Sequence, residues 1–304
     1  MSAIVSADGL TKRFGPRRGV EDLQFEVHEG EVFGFLGPNG AGKSTTIRLL
    51  TGLSHPTAGA ASVAGLDPIG DAVALHRRIG YLPGELALHP RLTGREHVEF
   101  AARARGMNDR TLLDQLVDRF QVDLSRPART LSKGNRQKVG IVLALMHRPE
   151  LLILDEPTSG LDPLMRDEFE RLLRETVDEG RTVFLSSHEL DEVQRVVDRV
   201  AIIKEGRLMV VDTVDGLRRN APRTIEFHFP TIVDPRQFAS LEGVRVVGTE
   251  GTRMTLAFHG AVAPLLRIAA EHDPIDVIAR QADLDELFLS YYRDGGGRED
   301  VDAN

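Results

Sequence analysis

The chain has 304 residues, with 38 Lys and Arg against 46 Asp and Glu, a formal net charge of −8 and no cysteine. That length leaves room for one large domain with a full core and one small one, while the lack of cysteine excludes disulfides and thiolate metal sites. The acidic balance argues against broad nucleic-acid binding, which needs a basic face, and no apolar run approaches the roughly eighteen residues that cross a bilayer.

From the N-terminus, the Lys and Arg residues between Lys12 and Arg18 read as a solvated loop, and Phe14 stands among them in Thr11-Lys-Arg-Phe14-Gly. Residues 31–36 form an apolar run that predicts a strand. It leads into Gly37-Pro-Asn39-Gly40-Ala-Gly42-Lys43-Ser44-Thr45, after which residues 45–50 have helical composition. Gly37, Gly40 and Gly42 let the backbone curl so that successive N–H groups face an anion, closed by the N-terminus of the next helix. Lys43 then supplies a charge toward the terminal phosphates of a nucleotide, and the Ser44 hydroxyl is placed for Mg²⁺. A glycine-rich turn that binds nothing is the bland alternative; the strand before and the helix after count against it.

Helices of mixed charge are predicted over residues 93–106 and 109–120, and a basic, apolar helix over 137–147, shortly after Leu131-Ser132-Lys133-Gly134-Asn135-Arg136-Gln137. The longest apolar run, 139–146, falls inside that last helix. Residues 151–154 are continuously apolar, which marks a strand central in a sheet, and the strand ends in Asp155 and Glu156. Asp155 is a partner for Mg²⁺, and Glu156 is the candidate general base that orients and deprotonates an attacking water. The competing reading makes both carboxylates mere caps of a helix starting near Pro163. A further buried-strand run, 182–187, ends in His188, whose imidazole can donate to a γ-phosphate oxygen or simply begin a solvated helix.

Taken together, these motifs resemble the nucleotide-binding subunit of ATP-binding cassette (ABC) transporters over residues 3 to about 215. The resemblance implies an α/β fold: a P-loop NTPase (RecA-like) core, residues 3–215, with an inserted helical subdomain at about 90–148. It further implies that Ser132 and Gly134, in the signature segment, bind the γ-phosphate held by the opposite protomer. Ser159-Gly-Leu-Asp162 resembles the D-loop, which crosses the dimer seam, so Asp162 joins the nucleotide-binding set. Phe14 matches the aromatic that stacks on adenine, although it could equally be a core strand residue.

Two departures stand out. Lys133 and Asn135 replace the signature's usual second glycine and glutamine. In the Q-loop, Ile79-Gly-Tyr-Leu-Pro83 is followed by Gly84-Glu85 where the family places a glutamine, so that either a water fills the gap or Glu85 reaches in.

After about residue 215 the composition shifts. Strands are predicted at 223–229, 244–248, 253–258 and 275–280, with a short helix after the first and helices at 263–271 and 284–293, an order that suits a ferredoxin-like α+β accessory domain over 216–293. Residues 294–304, Gly-rich then acidic, read as a disordered tail. An appendage of this size ending in Asp283-Leu-Asp-Glu-Leu-Phe-Leu-Ser-Tyr-Tyr resembles exporters of the daunorubicin-resistance type.

The implied function is ATP hydrolysis, with Mg²⁺, that drives export of a hydrophobic drug or natural product. The implied partners are a second copy of the chain and a separate transmembrane permease, with no nucleic acid. The permease is expected to touch the helical region 93–122 and the Q-loop. With no charged-then-apolar leader, the chain is expected at the cytoplasmic face of the membrane. A soluble ABC-type ATPase acting on a ribosomal or nucleic-acid partner would carry two cassettes or a coiled-coil insert, and a GTP switch an Asn-Lys-x-Asp motif; neither pattern is found.

Overall fold

Two compact units, Met1–Asp212 and Thr213–Asn304, make up the chain in the computed structural model, which describes residues 2–15, 17–189, 194–220 and 223–280. In the first unit, three short runs of uniformly buried residues set the centre: β3 (Val32–Leu36), β6 (Leu151–Asp155) and β7 (Thr182–Ser187). Strands buried on both faces read as continuous apolar segments, and these pair in parallel with β5 (Ile79–Leu82) and β8 (Arg199–Lys204). β9 (Arg207–Thr213) completes the order β5-β6-β7-β3-β8-β9 after the tight turn Glu205-Gly206, whose φ values of 48° and 79° suit a two-residue hairpin. As in other parallel sheets, the carboxyl ends of β3, β6 and β7 share one edge, and the functional segments follow from it.

A three-stranded antiparallel sheet, β2-β1-β4, has no counterpart among the sequence-based expectations; it is formed by β1 (Ala3–Phe14), β2 (Arg17–His28) and β4 (Ala58–Val63). The segment expected as a solvated loop, Lys12 to Arg18, is instead the end of a hairpin, with Arg13 paired to Arg18 and Phe14 to Arg17. This sheet buries Val5, Leu10, Val20 and Leu23 in one core with Phe33, Phe35 and Phe184. Phe25 joins the two sheets there, its ring 5.6 Å from Phe35 and 6.3 Å from Phe184.

Helices α1 (Lys43–Leu50) and α2 (Ala72–Arg78) follow the phosphate-loop sequence and β4. The inserted helical part consists of α3 (Gly94–Ala104), α4 (Thr111–Arg119) and α5 (Lys133–Leu145). Thr93 starts α3 with a complete capping box: its hydroxyl accepts from Glu96 N at 3.2 Å and Glu96 accepts from Thr93 N at 2.7 Å. α5 begins four residues before the expected start at 137, because the Ser132 hydroxyl accepts from Asn135 N at 3.1 Å and caps it. Arg119 on α4 grips Glu168 and Glu175 of α6 (Pro163–Asp178), tying the helical part to the helix that follows β6.

The second unit starts with an unanticipated helix, α7 (Val214–Asn220). β10 (Arg223–His228), α8 (Arg236–Ala239), β11 (Val244–Glu250), β12 (Arg253–Phe258), α9 (Ala263–Ala270) and β13 (Asp276–Arg280) then follow the expected order. The strands form an antiparallel sheet in the order β11-β12-β10-β13, the ferredoxin-like arrangement. Period-2 alternation puts Ile225, Phe227, Met254, Leu256 and Phe258 on one face, where Phe238 of α8 and Leu265 and Ala269 of α9 cover them. The helix expected at 284–293 and the tail at 294–304 lie outside the described residues.

Candidate functional site

β3 ends at Leu36, and the chain turns at once into the glycine loop, held at its base by Gly37 N donating to Ser187 O at 3.2 Å. A Cβ on Gly37 would stand 2.5 Å from Ile203 O, so only glycine lets the loop start this close to β8. Gly42 sits at φ 112°, a left-handed conformation that L side chains avoid, and this residue turns the loop into α1. The first N–H groups of α1 have no intrahelical acceptor and face the loop. Lys43, at the first turn, is 6 % exposed; its Nζ donates to Gly37 O at 2.6 Å and lies 3.1 Å from Glu156 Oε1. Glycines, buried cation and helix N-terminus therefore converge where an oligophosphate would be most strongly held.

The two acidic residues behave differently although adjacent. Asp155 ends β6, is buried, and accepts from Ser186 Oγ at 2.6 Å. Glu156 has left the strand with φ 50°, an uncommon conformation for a residue with a side chain, held by its N–H donating to Ser186 O and Oγ, both at 3.2 Å. That twist carries its carboxylate to Lys43 on one side and to His188 Nδ1, 2.8 Å from Oε2, on the other. Oε1 is buried and takes no directed hydrogen bond, only the ion pair with Lys43. Neither carboxylate caps α6; that role falls to Asp162, which accepts from Met165 N at 3.0 Å, with Pro163 in the first turn. Ser186 escaped the sequence reading, yet a hydroxyl buried at the end of an apolar strand was its signal.

An open cleft of about 450 Å³ lies over the loop, lined by Phe14, Gly19, Pro38, Asn39, Gly40, Gly42, Lys43, Ser44, Thr45 and Glu156. Phe14 is 51 % exposed at its rim with Lys12 Nζ 5.3 Å from the ring centre, which removes the reading of Phe14 as a core strand residue. His188 reaches the cleft only through Glu156, and Asp155 lies behind it. Ser132, Gly134 and Asp162 do not line it. In the Q-loop, Glu85 is exposed, while Gly84 comes against Asp155: a Cβ there would be 3.2 Å from Oδ2. The Tyr81 phenol on β5 is held above its usual pKa, first by burial and then by the charge of Asp155, with Arg48 acting the other way.

Gly134 and Gln137 instead pack on the segment after Glu156, while Ser132 at the start of α5 is exposed. Gln137 Nε2 donates to Pro157 O at 2.9 Å, and a Cβ on Gly134 would stand 2.6 Å from Gly160 O. Asn135 pins the same turn to the loop before it, accepting from Asp123 N at 2.9 Å and donating to Asp123 O at 2.8 Å. The signature segment is thus fixed in place while its capping serine stays exposed.

A glycine cradle with a buried lysine at the carboxyl edge of a parallel sheet, beside an acid-terminated neighbouring strand, defines a P-loop nucleotide hydrolase. The comparisons narrow this class. The ABC transporter family profile matches residues 20–159. The chain is 38 % identical, over 75 % of its length and 75 % of the relative's, to the bacitracin transport ATP-binding protein BcrA of Bacillus licheniformis. It is 37 % identical, over 70 % of its length and 69 % of the relative's, to the daunorubicin resistance ATP-binding protein DrrA3 of Streptomyces coeruleorubidus. A solved structure titled as the ATP binding subunit of an ABC transporter shares 34 % identity and a TM-score of 0.67, covering 71 % of this chain and 92 % of that one. The chain therefore belongs to the ATP-binding, ATP-hydrolysing subunits of the ABC transporter family.

Proposed function

We propose that this ATPase works as a pair of chains that drives a separate transmembrane permease to export a hydrophobic drug or natural product. The observation that carries the paired reading is the division of the site. The cleft gathers Phe14, the glycine loop, Lys43 and Glu156, whereas the signature serine and glycine stand on another surface of the same chain. Two chains related by a two-fold axis make both surfaces meet, giving two composite sites.

In this reading Phe14 stacks on adenine, and the N–H groups of residues 39–45 with Gly37, Gly40 and Gly42 hold the phosphates. Lys43 leaves Glu156 for the terminal phosphates. The freed Oε1, an acceptor without a directed partner, takes the attacking water and its proton, and His188 contacts a γ-phosphate oxygen. Ser132 and Gly134 of the partner subunit close the γ-phosphate from the far side, with Asp162 at the seam. The residues present fit Mg²⁺: Ser44 offers a hydroxyl and Asp155 a carboxylate, hard oxygen donors few enough to leave room for phosphate oxygens and water. Bound there, the ion would neutralise phosphate charge. Loss of the γ-phosphate removes the bridge between the subunits, which turns hydrolysis into a mechanical stroke.

The names of the bacitracin and daunorubicin relatives support the cargo class. A peripheral place on the cytoplasmic face agrees with the described residues, in which no helix is long and apolar enough to cross a membrane. We place the permease against the helical part, where α3 and α4 enclose a hollow of about 320 Å³ lined by Val98 and Leu113 among charged residues, and against the Q-loop. The test uses Glu156→Gln, which keeps the cleft but lacks the base. With ATP and Mg²⁺ it should sediment as a dimer and return to monomer with ADP; a monomer under every nucleotide would refute the paired site. Co-purification with the permease and a screen of peptide and aromatic antibiotics for ATPase stimulation tests the cargo.

A further inference from the structure

We infer that Lys133, at the signature position where the family usually has a glycine, is a positioning residue that locks the signature turn to the D-loop of its own chain. Its Nζ donates to Ser159 Oγ at 2.9 Å. Between the two ends, its stem lies flat across Gly160, whose Cβ position would fall 3.1 Å from Lys133 Cγ and 3.2 Å from Cδ. Gly160 holds φ 84° and turns its carbonyl onto Gly134. Three contacts thus grip residues 157–160 from residues 133–137: the buried Gln137 amide on Pro157 O, the Gly134 backbone on Gly160 O, and the Lys133 ammonium on Ser159.

The first two are short, rigid contacts. The third is a long exposed side chain that ends on a hydroxyl, so it is the only one of the three that a conformational change can break and remake without disturbing the core. An ammonium donating to a hydroxyl is a charge-assisted bond and fixes the Ser159 hydroxyl with its oxygen toward the lysine. The consequence, which rests on the paired reading above, is that the element contacting the γ-phosphate in one composite site carries with it the loop that crosses to the other. Lys133 acts through Ser159 and makes no contact with nucleotide in this account.

The experiment compares Lys133→Met, which keeps the stem and loses the donor, with Ser159→Ala and the double variant, all in the full chain. Each single change should lower kcat about fivefold and bring the Hill coefficient for ATP toward one, with binding of a fluorescent ATP analogue to the monomeric chain unchanged. The double variant should be no worse than either single, because both remove the same bond, and Lys133→Arg should restore most of the loss. Multiplying effects in the double variant, a Ser159→Ala enzyme with normal kinetics, or a Lys133→Met enzyme with normal kinetics would each overturn the inference. Glu156→Gln run alongside separates the two readings. If it fails to dimerise, the paired site falls; if it dimerises while the Lys133 and Ser159 effects multiply, only the lock falls.

Discussion

The cassette and the C-terminal unit both rest on phenylalanine-centred cores under a sheet, yet they spend their interiors differently. Every buried polar or charged side chain among the described residues lies in the cassette, and Lys43, Asp155, Gln137, Ser186 and Ser187 all stand at or beside the functional edge of the sheet. The core of the C-terminal unit is wholly apolar, with Phe227, Phe229 and Phe238 stacked about 6 Å apart. The backbone does not follow this contrast. Left-handed non-glycine residues occur in both units: Glu156 lines the cleft, whereas Asp22, Ala64, Gln121, Arg148, Glu205 and Asp273 do not. Desolvated charge persists only where surrounding structure holds it, and Lys43 and Asp155 are buried where the site is built. A well-packed unit without buried charge among its described residues reads as scaffold.

The sharpest way to break this contrast is at Glu156. Glu156→Gln should reduce kcat by about 100-fold or more while ATP still binds, since general-base assistance is worth that much and the cradle is untouched. Steady-state turnover near the wild-type rate would remove the carboxylate from its role. Next in size is the apolar core of the other unit: Phe227→Ala, at a fully buried position, should destabilise that unit by about 3–5 kcal/mol. Limited proteolysis should then open residues beyond 213 first, with ATP turnover of the cassette kept within about twofold. A parallel collapse of turnover would show that the second unit shapes the site.

A smaller effect comes from His147, at the end of α5. Its Nε2 donates to Ile79 O at 3.0 Å, and its buried Nδ1 has no partner. Burial first, and Arg105 second, lower its pKa to about 4, against the opposing pull of the Ile79 carbonyl. The imidazole is therefore neutral when folded, whereas the unfolded chain takes up a proton below its ordinary value near 6.5. Stability is full above that value and lost as pH falls toward 4, up to about 2 kcal/mol between pH 7 and 5. Chemical denaturation at the two pH values should show that difference in the wild type and a smaller one in His147→Gln. An equal loss in both would clear His147.

What could be read in the sequence followed from locality. The phosphate loop is contiguous, the strand before Asp155-Glu156 is a continuous apolar run, and the one before His188 is centred on Val183-Phe184-Leu185, so both pattern and chemistry point one way. The order of strands and helices in the second unit was legible for the same reason, since β10, Arg-Thr-Ile-Glu-Phe-His, and β12, Arg-Met-Thr-Leu-Ala-Phe, alternate. The antiparallel sheet was not. β1 carries register shifts that interrupt its alternation, and β4, Ala-Gly-Ala-Ala-Ser-Val, has little strand propensity of its own. The start of α5 was hidden because Lys133-Gly134-Asn135 contains two poor helix formers, and only the Ser132 cap reveals it. Ser186 and the grip of Gln137 and Lys133 on residues 157–160 depend on contacts 20 to 31 positions apart, which no local pattern encodes.

The claim on which the mechanism turns is that each chain supplies half of every site, and mixing two dead chains tests it most directly. Lys43→Ala loses the cradle's cation, and Gly134→Asp puts a side chain where only 2.6 Å separates the Cβ position from Gly160 O. Each should be inactive alone. Mixed in equal amounts, they should recover roughly a quarter of wild-type ATPase, because half the dimers are mixed and each mixed dimer has one sound composite site. A mixture as silent as its components, with both chains folded and able to dimerise, would contradict the shared site.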